Sequence, residues 1–204
     1  MITGIDVSHF EPAIDWKQAK TKSDVQWMYT KASQGSDFVD WSLTMHTSAA
    51  RTAGVLTQAY HFFMANVDPQ AQLKNFLGAV HGVKLDLGHM LDWEAGSVQG
   101  QSPNKQIACA QVILDGMEKA TGKTPWLYMG LSLAQELSLP NSFNRYPLIV
   151  AAYGRTLGQV KAPIPWIRLA GWQWTDSGKI AGVAAGHSVD CNYFFGTIDD
   201  LKAL

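Results

Sequence analysis

Short apolar runs alternate with amphipathic stretches along this chain, and that alternation limits its fold more than any other feature. Runs rich in aromatic and β-branched residues lie at 2–7, 27–32, 56–63, 88–93, 126–129, 148–153, 169–174 and 188–192. Each has the length and composition of a buried strand. Between the earlier runs, 41–53, 69–80 and 103–121 have helical period. Asp68 and Pro69 form an N-cap and first-turn pair, and Ser102 and Pro103 form another. Gly122 stands where a helix C-terminus needs a left-handed residue. Strands separated by helices predict a mainly parallel sheet, and eight of them predict an α/β barrel. From Leu148 onward the strands crowd together and Gly and Pro replace good helix formers. The expected fold is therefore an irregular barrel of about eight strands with fewer helices in its C-terminal third. No repeat, linker or low-complexity tract divides the 204 residues, which predicts one catalytic domain over 1–204.

Composition narrows the function. Hydrophobic residues make up 47% and charged residues 16%, with a formal net charge of -1 and no dense Lys/Arg run. That gives no electrostatic footprint for nucleic acid. No apolar run approaches a membrane span. The opening Met1-Ile2-Thr3-Gly4-Ile5-Asp6-Val7 lacks a basic and apolar leader pattern. The expectation is a monomer made in the cytoplasm, which something else must carry out if its substrate lies outside. Cys109 and Cys191 make no zinc pattern and are expected to be free and buried.

Polar residues collect where the predicted strands finish. Asp6 ends the first, Lys31 the second, Tyr60 and His61 the third, and Asp92-Trp93-Glu94 the fourth. Tyr128, Tyr153, Trp172-Gln173-Trp174 and Asp190 follow on the remaining four. In α/β barrels the C-terminal strand ends form the active-site face. Asp92 and Glu94 stand at i and i+2, so both point to one face, with Trp93 turned to the other. Two carboxylates that close raise one pKa and leave one acid protonated near neutrality. Glycoside hydrolysis needs such a pair, one carboxylic acid to protonate the leaving oxygen and one group to meet the developing cation. If the barrel closes, Asp6 and Asp190 join them. Four carboxylates suit either acid catalysis on a sugar or a hard divalent cation, and the aromatics at Tyr60, Tyr128, Tyr153, Trp172 and Trp174 favour the sugar. His9, His61 and His89 fit no metal spacing, and His46, His81 and His187 read as surface or loop residues. Gly182–Gly186 is followed by His187 rather than Lys-Ser/Thr, so it is not a phosphate loop.

Gly4-Ile5-Asp6-Val7-Ser8-His9, Ile14-Asp15-Trp16, Lys31-Ala32-Ser33-Gln34-Gly35, Tyr60-His61-Phe62, Leu91-Asp92-Trp93-Glu94, Trp172-Gln173-Trp174 and Val189-Asp190-Cys191-Asn192 together resemble glycoside hydrolase family 25. Its members are N-acetylmuramidases, or lysozymes, of phage endolysins and bacterial autolysins. The resemblance implies peptidoglycan glycan chains as substrate, cleavage of the β-1,4 bond from N-acetylmuramic acid to N-acetylglucosamine, and no cofactor or metal. It implies Glu94 as general acid, Asp92 as its partner, and Asp6 and Asp190 as flanking catalytic acids. The substrate-binding set expected around them is Lys31, Tyr60, His61, Tyr128, Tyr153, Trp172, Gln173 and Trp174. Gln34 departs from the pattern, standing where the family often carries a glutamate.

Overall fold

The computed structural model describes all residues, 1–204. In chain order the elements are β1 Ile2–Val7, α1 Trp16–Ser23, β2 Val25–Gln34, β3 Phe38–Val39, α2 Leu43–Thr52, β4 Leu56–Phe62, α3 Pro69–Val80 and β5 Met90–Trp93. They continue as α4 Pro103–Thr121, β6 Trp126–Gly130, α5 Leu131–Glu136, β7 Leu148–Ala151, β8 Gly171–Gly178, β9 Val189–Phe194 and α6 Ile198–Ala203. Strand order is β1-β9-β8-β7-β6-β5-β4-β2-β3, and pairing of β1 with β2 closes a barrel of eight staves, with β3 as a two-residue spur on β2. Each predicted strand corresponds to a stave. The predicted helices correspond to α2, α3 and α4, while the short α1, α5 and α6 go beyond them.

The cap residues behave largely as their chemistry dictates. Asp68 accepts from the Gln70 N–H ahead of Pro69, and Gly122 ends α4 at φ 69°. Ser102 differs, contributing its carbonyl to Gln106 N–H and no side-chain cap.

Three apolar layers hold the barrel together. Inside it, Ile2, Trp27, Tyr29, Tyr60, Met90, Trp126, Tyr128, Ile149 and Phe194 interdigitate, with Leu87 and Leu201 packed among them. Gly4 admits this packing, since a Cβ there would lie 2.4 Å from the Trp27 indole. Outside, Leu91, Trp93, Leu127 and Met129 pack on Phe76 of α3 and on Ile113, Leu114 and Met117 of α4. A third layer joins Ile5, Val7, Met28 and Cys191 to Trp16 and Ala19 of α1 and Ala50 of α2. Both cysteines are free and buried. His46 is only 1% exposed and meets Trp16 edge-on, which corrects its expected surface position. It lies on the buried face of α2 with Leu43, Thr47 and Ala50.

One stave departs from the parallel rule. β9 runs antiparallel to both β1 and β8, and the other pairs around the barrel are parallel. The helix-free segment 179–188 joins β8 to β9, and a connection that short makes a hairpin, whereas a parallel return needs a longer crossover. Asp190 therefore stands near the start of its strand rather than at its finish. Reversal brings that start to the end of the barrel where the other strands finish, and Asp190 is the Cα partner of Asp6.

Candidate active site

Strand alternation decides which side chains enter the barrel mouth. On β5, Met90 faces the interior and Leu91 and Trp93 face the helices, so Asp92 follows Met90 inward. Trp93 is fully buried and meets Phe63 edge-on, as the alternation predicts. Glu94 follows immediately, its backbone pinned by Ser97. Its N–H donates to Ser97 Oγ at 3.2 Å, and the Ser97 hydroxyl donates to its carbonyl at 2.7 Å. Asp92 is 5% exposed with Oδ1 unpartnered, and Glu94 is half-buried.

Burial raises the Asp92 pKa well above the carboxylate range, and the charge of Glu94 adds to this. Burial raises Glu94 too, opposed by Lys31. Both carboxyls are thus disposed to hold a proton, and the more deeply buried Asp92 more strongly than Glu94.

Lys31 is the cation that answers these acids. Burial lowers its pKa, against the pull of Asp92, Asp40 and Glu94. A register shift between Lys31 and Ser33 in the pairing of β2 with β4 turns Ser33 toward His61 and brings Gln34 opposite Phe62. The Lys31 ammonium donates to Gln34 Oε1 at 2.6 Å and lies 4.7 Å from the Phe62 ring centroid. A neutral glutamine accepts from Lys31 without neutralising it, so its charge stays available to the cleft.

Gln173 organises the opposite wall. Its Nε2 donates to Asp6 Oδ2 at 2.9 Å and to Asp190 Oδ2 at 3.4 Å. Its Oε1 accepts from the Tyr128 hydroxyl at 2.7 Å and from Tyr153. Asn192 Nδ2 donates to Asp6 Oδ2 at 2.7 Å, and Asn192 Oδ1 accepts from Tyr29 at 2.8 Å. Burial lifts Asp6 to about 6, held from going higher by hydrogen bonds from Asn192 and Gln173. Burial and the neighbouring Asp6 push Asp190 up to about 8.

The structure brings together Asp6, Lys31, Tyr60, Asp92, Glu94, Tyr128, Tyr153, Gln173 and Asp190. Their roles differ from the expected aromatic rim. Tyr60 and Tyr128 are floor residues, 9% and 6% exposed, while Tyr153 reaches the mouth at 46%. Three expected substrate contacts lie elsewhere. His61 is buried on the helix side, bonded to Ser33 Oγ at 2.8 Å and Gln72 Oε1 at 3.2 Å. Trp172 and Trp174 pack around Tyr193 outside the barrel, Trp174 stacked on it at 5.8 Å. Both tryptophans share the outward parity that excludes Trp93.

Tyr29 and Asn192 escaped the sequence reading as cleft residues. The signal was present, since each lies two positions from a cleft residue on its own strand, Lys31 and Asp190. No group of three or more His, Cys, Asp or Glu side chains converges as a metal cage. A cavity of about 750 Å³ lies at the opposite end of the barrel, lined by Tyr146, Trp166, Arg168 and Leu204 among others.

Comparison with known proteins agrees with this geometry. The chain is 31% identical to the Escherichia coli K12 protein YegX over 99% of its own length and 72% of that protein. Its fold superposes on a lysozyme from Streptomyces coelicolor with a TM-score of 0.86 at 25% identity, covering 100% of this chain and 96% of that one. A muramidase from Trichobolus zukalii gives a TM-score of 0.84 at 26% identity, covering 100% and 98%. The model of glycosyl hydrolases family 25 matches residues 5–183, so the chain belongs to that family.

Proposed function

We propose that the protein, acting as one catalytic domain over 1–204, hydrolyses bacterial peptidoglycan at the β-1,4 bond from N-acetylmuramic acid to N-acetylglucosamine. The observation that carries this reading is the Asp92–Glu94 pair at the mouth of the barrel, with both pKa values raised by burial. The lysozyme and muramidase that share the fold support the choice of substrate.

Glu94 is the more accessible of the two and can reach a glycosidic oxygen, which suits it to act as general acid. Asp92 lies deeper, placed to stabilise the anomeric centre or to steer the substrate's own 2-acetamido group. Burial disposes Asp92 to hold a proton more strongly than Glu94 when the cleft is empty. A sugar that displaces water from Glu94 raises the Glu94 pKa further, and the proton is then drawn to the acid that must donate it. Gln173 holds both Asp6 and Asp190, and Asn192 holds Asp6; the two acids contribute hydrogen-bonding groups for sugar hydroxyls, and the negative charge opposite Lys31 comes mainly from Asp6.

Substituting Glu94→Gln keeps shape and removes the proton. Release of new reducing ends from purified peptidoglycan should fall by about a hundred- to ten-thousandfold, the range that loss of acid catalysis costs. Near wild-type release by that variant would overturn the assignment of the acid. N-acetylmuramic acid at the new reducing ends, read by mass spectrometry, is the expected product; N-acetylglucosamine there would overturn the bond assignment.

The biological setting we favour is phage-type lysis of a bacterial host from within. Expression in the bacterial cytoplasm should then lyse cells only when a holin or another membrane-permeabilising agent is supplied. Failure to lyse permeabilised cells would overturn this setting without touching the chemistry.

A further inference from the structure

Beside the cleft stands a group of exposed aromatics that the four carboxylates do not account for. Phe10 is 76% exposed, Trp41 69% and Phe38 38%. They belong to two loops, one following β1 and one following β2, at the end of the barrel that carries the acids. Apolar side chains gathered in the open and rimmed by polar groups mark a contact surface.

A buried carboxylate holds the two loops in one arrangement. Asp40 Oδ2 accepts from His9 N–H at 3.1 Å and lies 2.7 Å from His9 Nδ1. Its Oδ1 accepts from Ser42 N–H at 2.9 Å and from the Ser42 hydroxyl at 2.6 Å. The Asp40 side chain is fully buried. The ring of His9 packs 4.1 Å from Phe10 and 5.4 Å from Phe38, centroid to centroid. Phe38 lies 5.5 Å from the Lys31 ammonium, and Lys31 feels the charge of Asp92 and Glu94. Phe10, His9, Phe38 and Lys31 thus form a line of contacts, and the charge of Lys31 acts on the acid pair, so the ridge adjoins the cleft.

We propose that Phe10 and Phe38, together with Trp41 on the adjoining loop that Asp40 pins to His9, form a carbohydrate platform that holds a pyranose of the glycan chain beyond the sugars at the acid pair. Aromatic faces match the apolar face of a pyranose, and the surrounding backbone and His9 suit its hydroxyls. The buckle at Asp40 fixes the platform before substrate arrives, which reduces the ordering cost of binding. No charge is needed on the ridge because the glycan backbone there is neutral. The proposal rests on the peptidoglycan reading above and assigns these residues to positioning, with no part in bond cleavage.

The test compares a long and a short substrate. With purified peptidoglycan, the double substitution Phe10→Ala/Trp41→Ala should raise KM about tenfold or more and change kcat by about twofold or less, since each lost stacking contact is worth about 2- to 13-fold in affinity. With a soluble disaccharide-repeat tetramer, which places fewer sugars beyond the acid pair, kcat/KM should fall by a much smaller factor than on peptidoglycan. The conservative Phe10→Tyr/Trp41→Phe should restore KM on peptidoglycan. An unchanged KM on peptidoglycan overturns the platform, as does an equal loss on the tetramer or failure of the aromatic rescue. The two readings fail separately, because a wild-type protein that releases no reducing ends from either substrate refutes the peptidoglycan reading itself.

Discussion

Asp190 gives the sharpest test of the site's electrostatics, because its chemistry and its stability pull in opposite directions. Burial and the adjacent Asp6 lift its pKa from 3.8 to about 8. The fold therefore prefers the protonated carboxyl. Its favourable contribution is fully present below 3.8, where it is protonated in both folded and unfolded states, and is lost as pH rises through about 8. Asn in its place is neutral at every pH, matches the carboxyl in size and can still accept from Gln173. Each tenfold change in proton affinity corresponds to about 1.4 kcal/mol, which sets a ceiling of about 6 kcal/mol at pH 8. Partial solvent access screens much of that field, so a gain of about 2 kcal/mol is the working figure. For a chain of this length that is about 4–8 °C in Tm. Thermal unfolding of wild type and Asp190→Asn at pH 4 and pH 8 reads it directly. The variant should melt with wild type at pH 4 and well above it at pH 8, while losing most peptidoglycan hydrolysis. A Tm difference that is the same at both pH values would refute the argument.

Two further outcomes follow from packing and burial. Gly4→Ala drives a methyl to within 2.4 Å of the Trp27 indole and should lower stability by about 1–3 kcal/mol or more; a melting curve unchanged from wild type would contradict the interior packing. His89, pushed by burial to about 4, is kept neutral by the fold, so its contribution is present above 6.5 and lost as pH falls toward 4. His89→Leu should therefore gain on wild type across that window in denaturant unfolding, and a difference flat with pH would overturn the assignment.

The fold was legible because hydrophobic period reports burial and little else is needed to place strands. Asp92, Trp93 and Glu94 could be sorted by alternation alone, and the structure follows that sorting. The same alternation divides Trp172-Gln173-Trp174, three adjacent polar or aromatic residues that cannot all face the cleft. Only Gln173 has the inward parity, and the two tryptophans pack outside with Tyr193. His61 repeats the lesson beside Tyr60. The substrate rim was less accessible still. Phe10 and Trp41 sit in loops, where no period exists to say which way a side chain points, and Phe38 lies on a two-residue spur. Their arrangement depends on contacts of His9 with Asp40 and Phe38, about thirty positions away in sequence.

Asp190 shows how a correct residue can be reached through an incomplete topology. Read as the finish of a parallel strand, 188–192 places the acid at the active end by the usual barrel rule. In the structure that strand is reversed, and Asp190 reaches the same end from its start. Had the same residues run parallel, Asp190 would sit near the floor and Phe194 at the mouth. The hairpin is thus what completes the site: it pairs Asp190 with Asp6 and sets Asn192 two residues deeper, where it donates to Asp6 and accepts from Tyr29. Lengthening 179–188 by a few flexible residues should leave this pairing intact, because strand register is held by the flanking β1 and β8 and loop closure costs little per added residue. An acid contributed by a closing antiparallel strand is therefore tied to the barrel wall on both sides, and its position owes more to sheet pairing than to the loop that delivers it.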